Sequence, residues 1–129
     1  MKKTITTLAL LMLLLSGCSH TPVANHEHGR VNHLILIWLK DAGNPEQRQQ
    51  IIEATRTLKQ LPGIISVRVG HVMPSDRKVV DDSFDIGVHM LFADRQSMEH
   101  YTSNPEHLRI VKQLIMPLTE RLLIYDFEE

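Results

Sequence analysis

The chain has 129 residues, of which 43% are hydrophobic and 22% charged, with a formal net charge of −1 at pH 7. That balance excludes a basic surface as the driver of nucleic-acid binding, and no nucleic-acid partner is expected. One cysteine, Cys18, excludes an internal disulfide.

The first residues, "MKKTITTLALLMLLLSGCSH", place Lys2 and Lys3 before an apolar run from Leu8 to Leu15. A membrane span needs roughly 20 such residues, so residues 1–17 read as a secretory signal. Leu15-Ser16-Gly17-Cys18 resembles the lipobox of bacterial lipoproteins, in which cleavage precedes a cysteine whose thiol carries diacylglycerol. The resemblance implies a membrane anchor at Cys18, since several acyl chains on one residue hold far more firmly than one. Ser19 stands where an aspartate would signal inner-membrane retention, which implies the periplasmic face of the outer membrane. Residues 18–30 lack apolar periodicity and read as a tether. His26 and His28 flank Glu27 there, but a tether offers no second shell to fix the rings, and no metal site is expected.

From Val31 onward about 100 residues remain, enough for one small domain, 31–129. "VNHLILIWLK" predicts a strand over Val31 to Lys40 with Val31, His33, Ile35, Ile37 and Leu39 on one face and Leu34, Leu36 and Trp38 on the other. Both faces need a cover: helices for one, a second copy of the chain for the other. Asn44 and Pro45 then cap a helix whose buried stripe is Ile51, Ala54, Leu58 and Leu61, and Pro62-Gly63 stops it. A second strand covers Ile64 to Met73. A third covers Phe84 to Phe92, with Phe84, Ile86, Val88, Met90 and Phe92 on one face and Asp85, Gly87, His89 and Leu91 on the other. A short helix over Arg95 to Thr102 is followed by a longer one from Pro105 to about Leu118, bent near Pro117. "RLLIYDF" closes as a fourth strand. The order βαββαβ predicts an α+β fold of the ferredoxin-like split βαβ type: a four-stranded antiparallel sheet with helices on one face.

"VNHLILIWLK", "LPGIISVRVG", "FDIGVHMLFADRQSMEHYTSNPEH" and "LLIYDF" together resemble the stress-responsive A/B barrel (Dabb) domain, with Tyr101, Pro105 and His107 as the most specific match. The resemblance implies a homodimer whose two sheets close into a barrel. Most members have no known chemistry, and one plant polyketide cyclase uses a histidine and a tyrosine for acid–base work. Carried over by motif, His33, Tyr101 and His107 match pocket positions and would be the catalytic candidates. A further pocket histidine falls at Ile86 and a pocket tyrosine at Ala54, which implies a plainer, more apolar cavity bounded by His33, Ile35, Ala54, Ile86, Met98, Tyr101 and His107.

Periodicity agrees on direction. With Val111 at the centre of the buried stripe, His107 lies about 40° to one side, beside Leu108, Leu114, Ile115 and Leu118. Tyr101 follows Met98 by three residues on one stripe, and His100 is turned toward solvent. Three readings of the trio stay open: a structural network whose groups satisfy one another, a pocket for a small apolar ligand, or an acid–base pair acting on a small carbonyl compound. His71 and His89 stand alone on strands and read as structural or surface residues. The sequence has no P-loop, dinucleotide fingerprint, Gly-x-Ser-x-Gly or zinc motif, so no cofactor is expected.

Overall fold

A computed structural model describes residues 29–129. The signal, Cys18 and the His26–Glu27–His28 segment lie outside the described residues. The elements run β1 (Val31–Leu39), α1 (Pro45–Thr57), β2 (Ile64–His71), β3 (Ile86–Phe92), α2 (Arg95–Ser103), α3 (Pro105–Ile110) and β4 (Thr119–Glu128). All strand pairs are antiparallel, in the order β2-β3-β1-β4. This is the ferredoxin-like α+β arrangement. The doubly apolar β1 takes an inner place, where both of its edges pair, with β3 on one side and β4 on the other.

Alternation sets which side chains meet the helices. His33 pairs with Met90 on β3 and with Asp126 on β4, so these three share the helix-facing side with Val31, Ile37, Leu39, Ile86, Val88 and Phe92. Ile51, Ile52, Leu58, Tyr101, Ile110 and Ile115 of the helical layer close the core over them. Among the described residues the core spans Val31 to Ile115, so the segment from Gly29 onward carries a hydrophobic core of its own.

α1 and α3 begin alike. Asn44 Oδ1 accepts from Gln47 N at 2.9 Å, and Asn104 Oδ1 accepts from Glu106 N at 2.9 Å, each followed by proline at the first helical position. Asn104-Pro105-Glu106 is therefore helix punctuation, and His100 beside it is exposed.

Two expectations need correction. Phe84 does not share the face of Ile86: its ring packs edge-on against Trp38 at 6.3 Å, on the opposite side of the sheet. Asp85 is buried, its carboxylate accepting from Leu39 N at 2.9 Å and Gly43 N at 2.7 Å, because those N–H groups leaving β1 have no strand to pair with. The last helix is also not continuous. It is α-helical only to Ile110, widens into a π turn over Val111–Ile115 and tightens to 3₁₀ over Met116–Leu118. Pro117 lacks the N–H for a regular last turn and its ring crowds the preceding one. The widened turn shifts the register, so Leu108 and Leu114 face solvent while Ile110 and Ile115 are buried.

The second face of the sheet carries Leu34, Leu36 and Trp38 of β1, Leu91 of β3, and Leu123, Tyr125 and Phe127 of β4. Tyr125 and Phe127 are 52% and 53% exposed. No element among the described residues covers this face.

Candidate functional site

The sheet and the helices enclose a cavity of about 210 Å³. Its floor is His33, Ile35 and Ile37 of β1, Val88 and Met90 of β3, and Leu122 and Ile124 of β4. Leu58 and Thr55 form one wall, Tyr101 and Thr102 another, and His107, Val111 and Ile115 a third. Met116 and Ile124, each about half exposed, flank the opening. The surface is almost wholly carbon. For scale, an apolar cavity of about 150 Å³ accepts benzene.

The three candidate side chains converge here from three elements. Tyr101 is buried on α2, with its ring 4.2 Å from that of His107 and 5.0 Å from that of Phe92. His33, buried on β1, has its ring 6.4 Å from Tyr101. His107 is only part-buried, and its Nδ1–H donates to Thr102 O at 3.3 Å, which leaves Nε2 as an acceptor in the neutral ring. Burial holds His107 below its ordinary pKa, with the Thr102 carbonyl opposing and His33 reinforcing the effect. Burial pushes the Tyr101 phenol well above its usual range, so it stays a donor. A neutral base and a protonated acid thus sit side by side at one wall of an apolar space.

Sequence reasoning did not find Asp126. Its Oδ1 accepts from His33 Nδ1–H at 2.6 Å, and its side chain is 43% exposed, so the pair links the buried ring to the surface. The available signal is the parity of β4, where Asp126 continues the helix-facing row of Leu122 and Ile124.

Three expected pocket residues lie elsewhere. Ala54 is turned toward Gln50, Glu53 and Leu114, and one step along α1 Thr55 takes the lining position. Ile86 is fully buried at the Ile37 end of β3, beyond the cavity. Met98 faces a separate cleft with Val31, Arg95, Glu99 and Asp126 on the other side of α2. Ile35, His33, Tyr101 and His107 do line the cavity. His89 lies on the opposite sheet face, where Nε2–H donates to Asn32 Oδ1 at 2.7 Å, and His71 is exposed. Among the described residues no group of three His, Cys, Asp or Glu is placed to hold a metal ion.

The model of the Stress responsive A/B Barrel Domain matches residues 31–129. The chain belongs to that family. A curated relative, a stress-response A/B barrel domain-containing protein of Arabidopsis thaliana, is 20% identical over 97 residues. The match covers 75% of this chain and 36% of that relative, so the chain spans about a third of the relative's length. Among solved structures, a dimeric protein of unknown function and ferredoxin-like fold from Bacteroides fragilis is 23% identical with a TM-score of 0.63, over 78% of this chain and 97% of that one. The hydroxynitrile lyase of Passiflora edulis is 18% identical with a TM-score of 0.68, over 78% of this chain and 94% of that one. At these identities the likeness is one of fold.

Proposed function

We propose that this chain is a lipid-anchored envelope protein whose A/B barrel domains pair as a homodimer and bind a small, largely apolar molecule between sheet and helices. The observation that carries the binding role is the carbon-walled cavity of about 210 Å³ in which His33, Tyr101 and His107 come together. The uncovered apolar sheet face and the dimeric neighbour of like fold support pairing. The end of the signal, Leu15 to Cys18, supports the anchor and the periplasmic face of the outer membrane. Fatty-acid labelling in a bacterial envelope should mark the wild-type chain and not Cys18→Ser. Equal labelling of the two would remove the anchor.

Binding should depend on pH through His107. Its folded-state pKa is depressed, so the neutral ring is in place above about pH 6.5 and is lost as pH falls through the folded-state value. A bound apolar molecule withdraws further water from the ring and favours that neutral form. Titration calorimetry of residues 29–129 with indole should give saturable binding near neutrality, weakening in acid by up to about tenfold per pH unit. In His107→Gln that weakening should disappear. Uptake that never saturates would sink the binding role, and an unchanged pH profile in His107→Gln would remove His107 from it.

One observation favours a second reading, an acid–base enzyme acting on a small carbonyl compound: His107, neutral with Nε2 free, stands 4.2 Å from the protonated Tyr101. His107 would take a proton from the carbon next to the carbonyl while Tyr101 hydrogen-bonds the oxygen. Acetophenone separates the two. A binding module returns it unchanged, whereas the enzyme exchanges its methyl protons for deuterium at a rate that His107→Gln abolishes.

A further inference from the structure

The two nitrogens of the His33 ring are placed differently. Nδ1 lies 2.6 Å from Asp126 Oδ1, and since an ionised carboxylate only accepts, Nδ1 carries the proton and donates it. Edge contacts with the rings of Phe92 at 6.2 Å and Tyr101 at 6.4 Å hold the plane of the imidazole. In the neutral ring Nε2 then keeps its lone pair, and it has no hydrogen-bond partner among the described residues. It is not sealed off. Among the described residues, the side-chain atoms that lack a partner and are closed even to water are Gln47 Oε1 and Thr55 Oγ1, and His33 Nε2 is not one of them. The ring borders the carbon-walled cavity and not the cleft on the far side of α2, so the cavity is where Nε2 is open.

Asp126 stands in that cleft, with Arg95, Met98, Glu99 and Glu128. Its side chain is 43% exposed, so water keeps the carboxylate solvated while it orients a buried ring. Arg95, the neighbouring cation, is paired with Glu128 at 2.8 Å and does not draw Asp126 away from His33. A charge solvated outside the cavity thus fixes where the proton sits on a ring inside it, and without that acceptor nothing holds the proton on Nδ1.

Building on the binding role above, we propose that Asp126 is a positioning residue that holds His33 as its Nδ1–H tautomer, so that the cavity floor presents Nε2 as an acceptor and selects a compact guest with a weakly acidic hydroxyl, a phenol or an enol, over a hydrocarbon of the same size. The guest's hydroxyl donates to Nε2 while its carbon frame meets Ile35, Val88 and Leu122. A hydrocarbon covers Nε2 and leaves it unpaired, which is the asymmetry of a site built to hydrogen-bond its guest. Tyr101 and His107 line the same space, but among the described residues the Asp126 side chain hydrogen-bonds to His33 alone, so its variants report on His33.

The test compares p-cresol with p-xylene, two probes of nearly equal shape, on the chain from residue 18 onward with Cys18→Ser, so that no lipid competes for the cavity. Calorimetry should show p-cresol preferred by about tenfold or more. Asp126→Ala should lose most of that preference by weakening p-cresol while p-xylene binds as before, and Asp126→Glu should restore part of it. Two-bond proton–nitrogen NMR spectra at about pH 8, above the ordinary histidine range, should find His33 protonated on Nδ1 and bare on Nε2. In Asp126→Ala the proton should move to Nε2 in part of the molecules. If wild type binds p-xylene as well as p-cresol, if Asp126→Ala keeps the preference or weakens both probes alike, or if the wild-type ring carries a proton on Nε2, the role of Asp126 is overturned while the cavity stands. If neither probe binds wild type, the binding role itself falls and this proposal with it.

Discussion

Replacing Asp85 with alanine should lower the free energy of unfolding by about 3 kcal/mol, a large share of the stability of a domain of this size. The Asp85 carboxylate accepts from two backbone N–H groups, Leu39 N at 2.9 Å and Gly43 N at 2.7 Å, where β1 ends and the chain turns into α1. Gly43 has φ of 81°, a left-handed conformation that suits glycine and aims its N–H at the carboxylate. Alanine leaves both donors without an acceptor; Leu39 N is buried and its loss costs about 1–3 kcal/mol, while Gly43 N, on an exposed residue, adds a smaller loss. Arg48 contributes less, since its contact is 3.4 Å long and its side chain is 28% exposed. Urea denaturation at one protein concentration should show the loss as a shifted midpoint with little change in slope, and the melting temperature should fall by at least about 10 °C. Asp85→Asn, which keeps one acceptor oxygen, should lose about half as much. A cost below about 1 kcal/mol for Asp85→Ala would mean that water or a shifted loop satisfies both donors. Because this anchor sets the start of α1, it also sets the wall that carries Thr55 and Leu58.

Wild type should sediment as a dimer and a Leu36→Asp chain as a monomer at the same concentration, with the dissociation constant raised at least about a thousandfold. Leu36 lies in the middle of the uncovered sheet face, between Gly87 on β3 and Leu123 on β4. Around it Leu34, Trp38, Leu91, Tyr125 and Phe127 make a contiguous apolar surface of a kind that monomers rarely leave in water. Two such sheets packed face to face, about 10 Å apart, would bury it. Twofold symmetry would place two aspartates in that interface for one substitution, so the penalty counts twice. Trp38 is a poorer probe, because its ring already packs against Phe84, lies 4.4 Å from the Arg121 guanidinium and donates to Ser83 Oγ at 3.1 Å. Removing it would disturb the chain's own contacts as well. A wild-type chain that stays monomeric at high micromolar concentration, or a Leu36→Asp chain that remains dimeric, would place the partner surface elsewhere.

The sequence by itself determined what depends on neighbours within a few residues. Asn44-Pro45 and Asn104-Pro105 announce helix starts because a capping side chain reaches only two or three residues ahead. Alternation along Val31 to Leu39 assigns His33 to the helix-facing side because parity on a strand is a local property, and the family motif brought Tyr101 and His107 to the same cavity. Tertiary structure decided the rest. Asp126 meets His33 across 93 residues of chain, through a strand register that no local pattern states. Asp85 departs from strand alternation because two N–H groups more than 40 residues earlier in the chain need an acceptor. The π turn at Val111–Ile115 exposes Leu108 and Leu114 against the expected stripe, since a helix ending at Pro117 and feeding directly into β4 cannot keep regular geometry to its last turn. Ala54 and Thr55 exchange roles for a like reason. A rotation of one residue about the α1 axis decides which of them meets the cavity, and that angle is set by how the whole helix beds onto the sheet, not by the spacing of its own apolar residues.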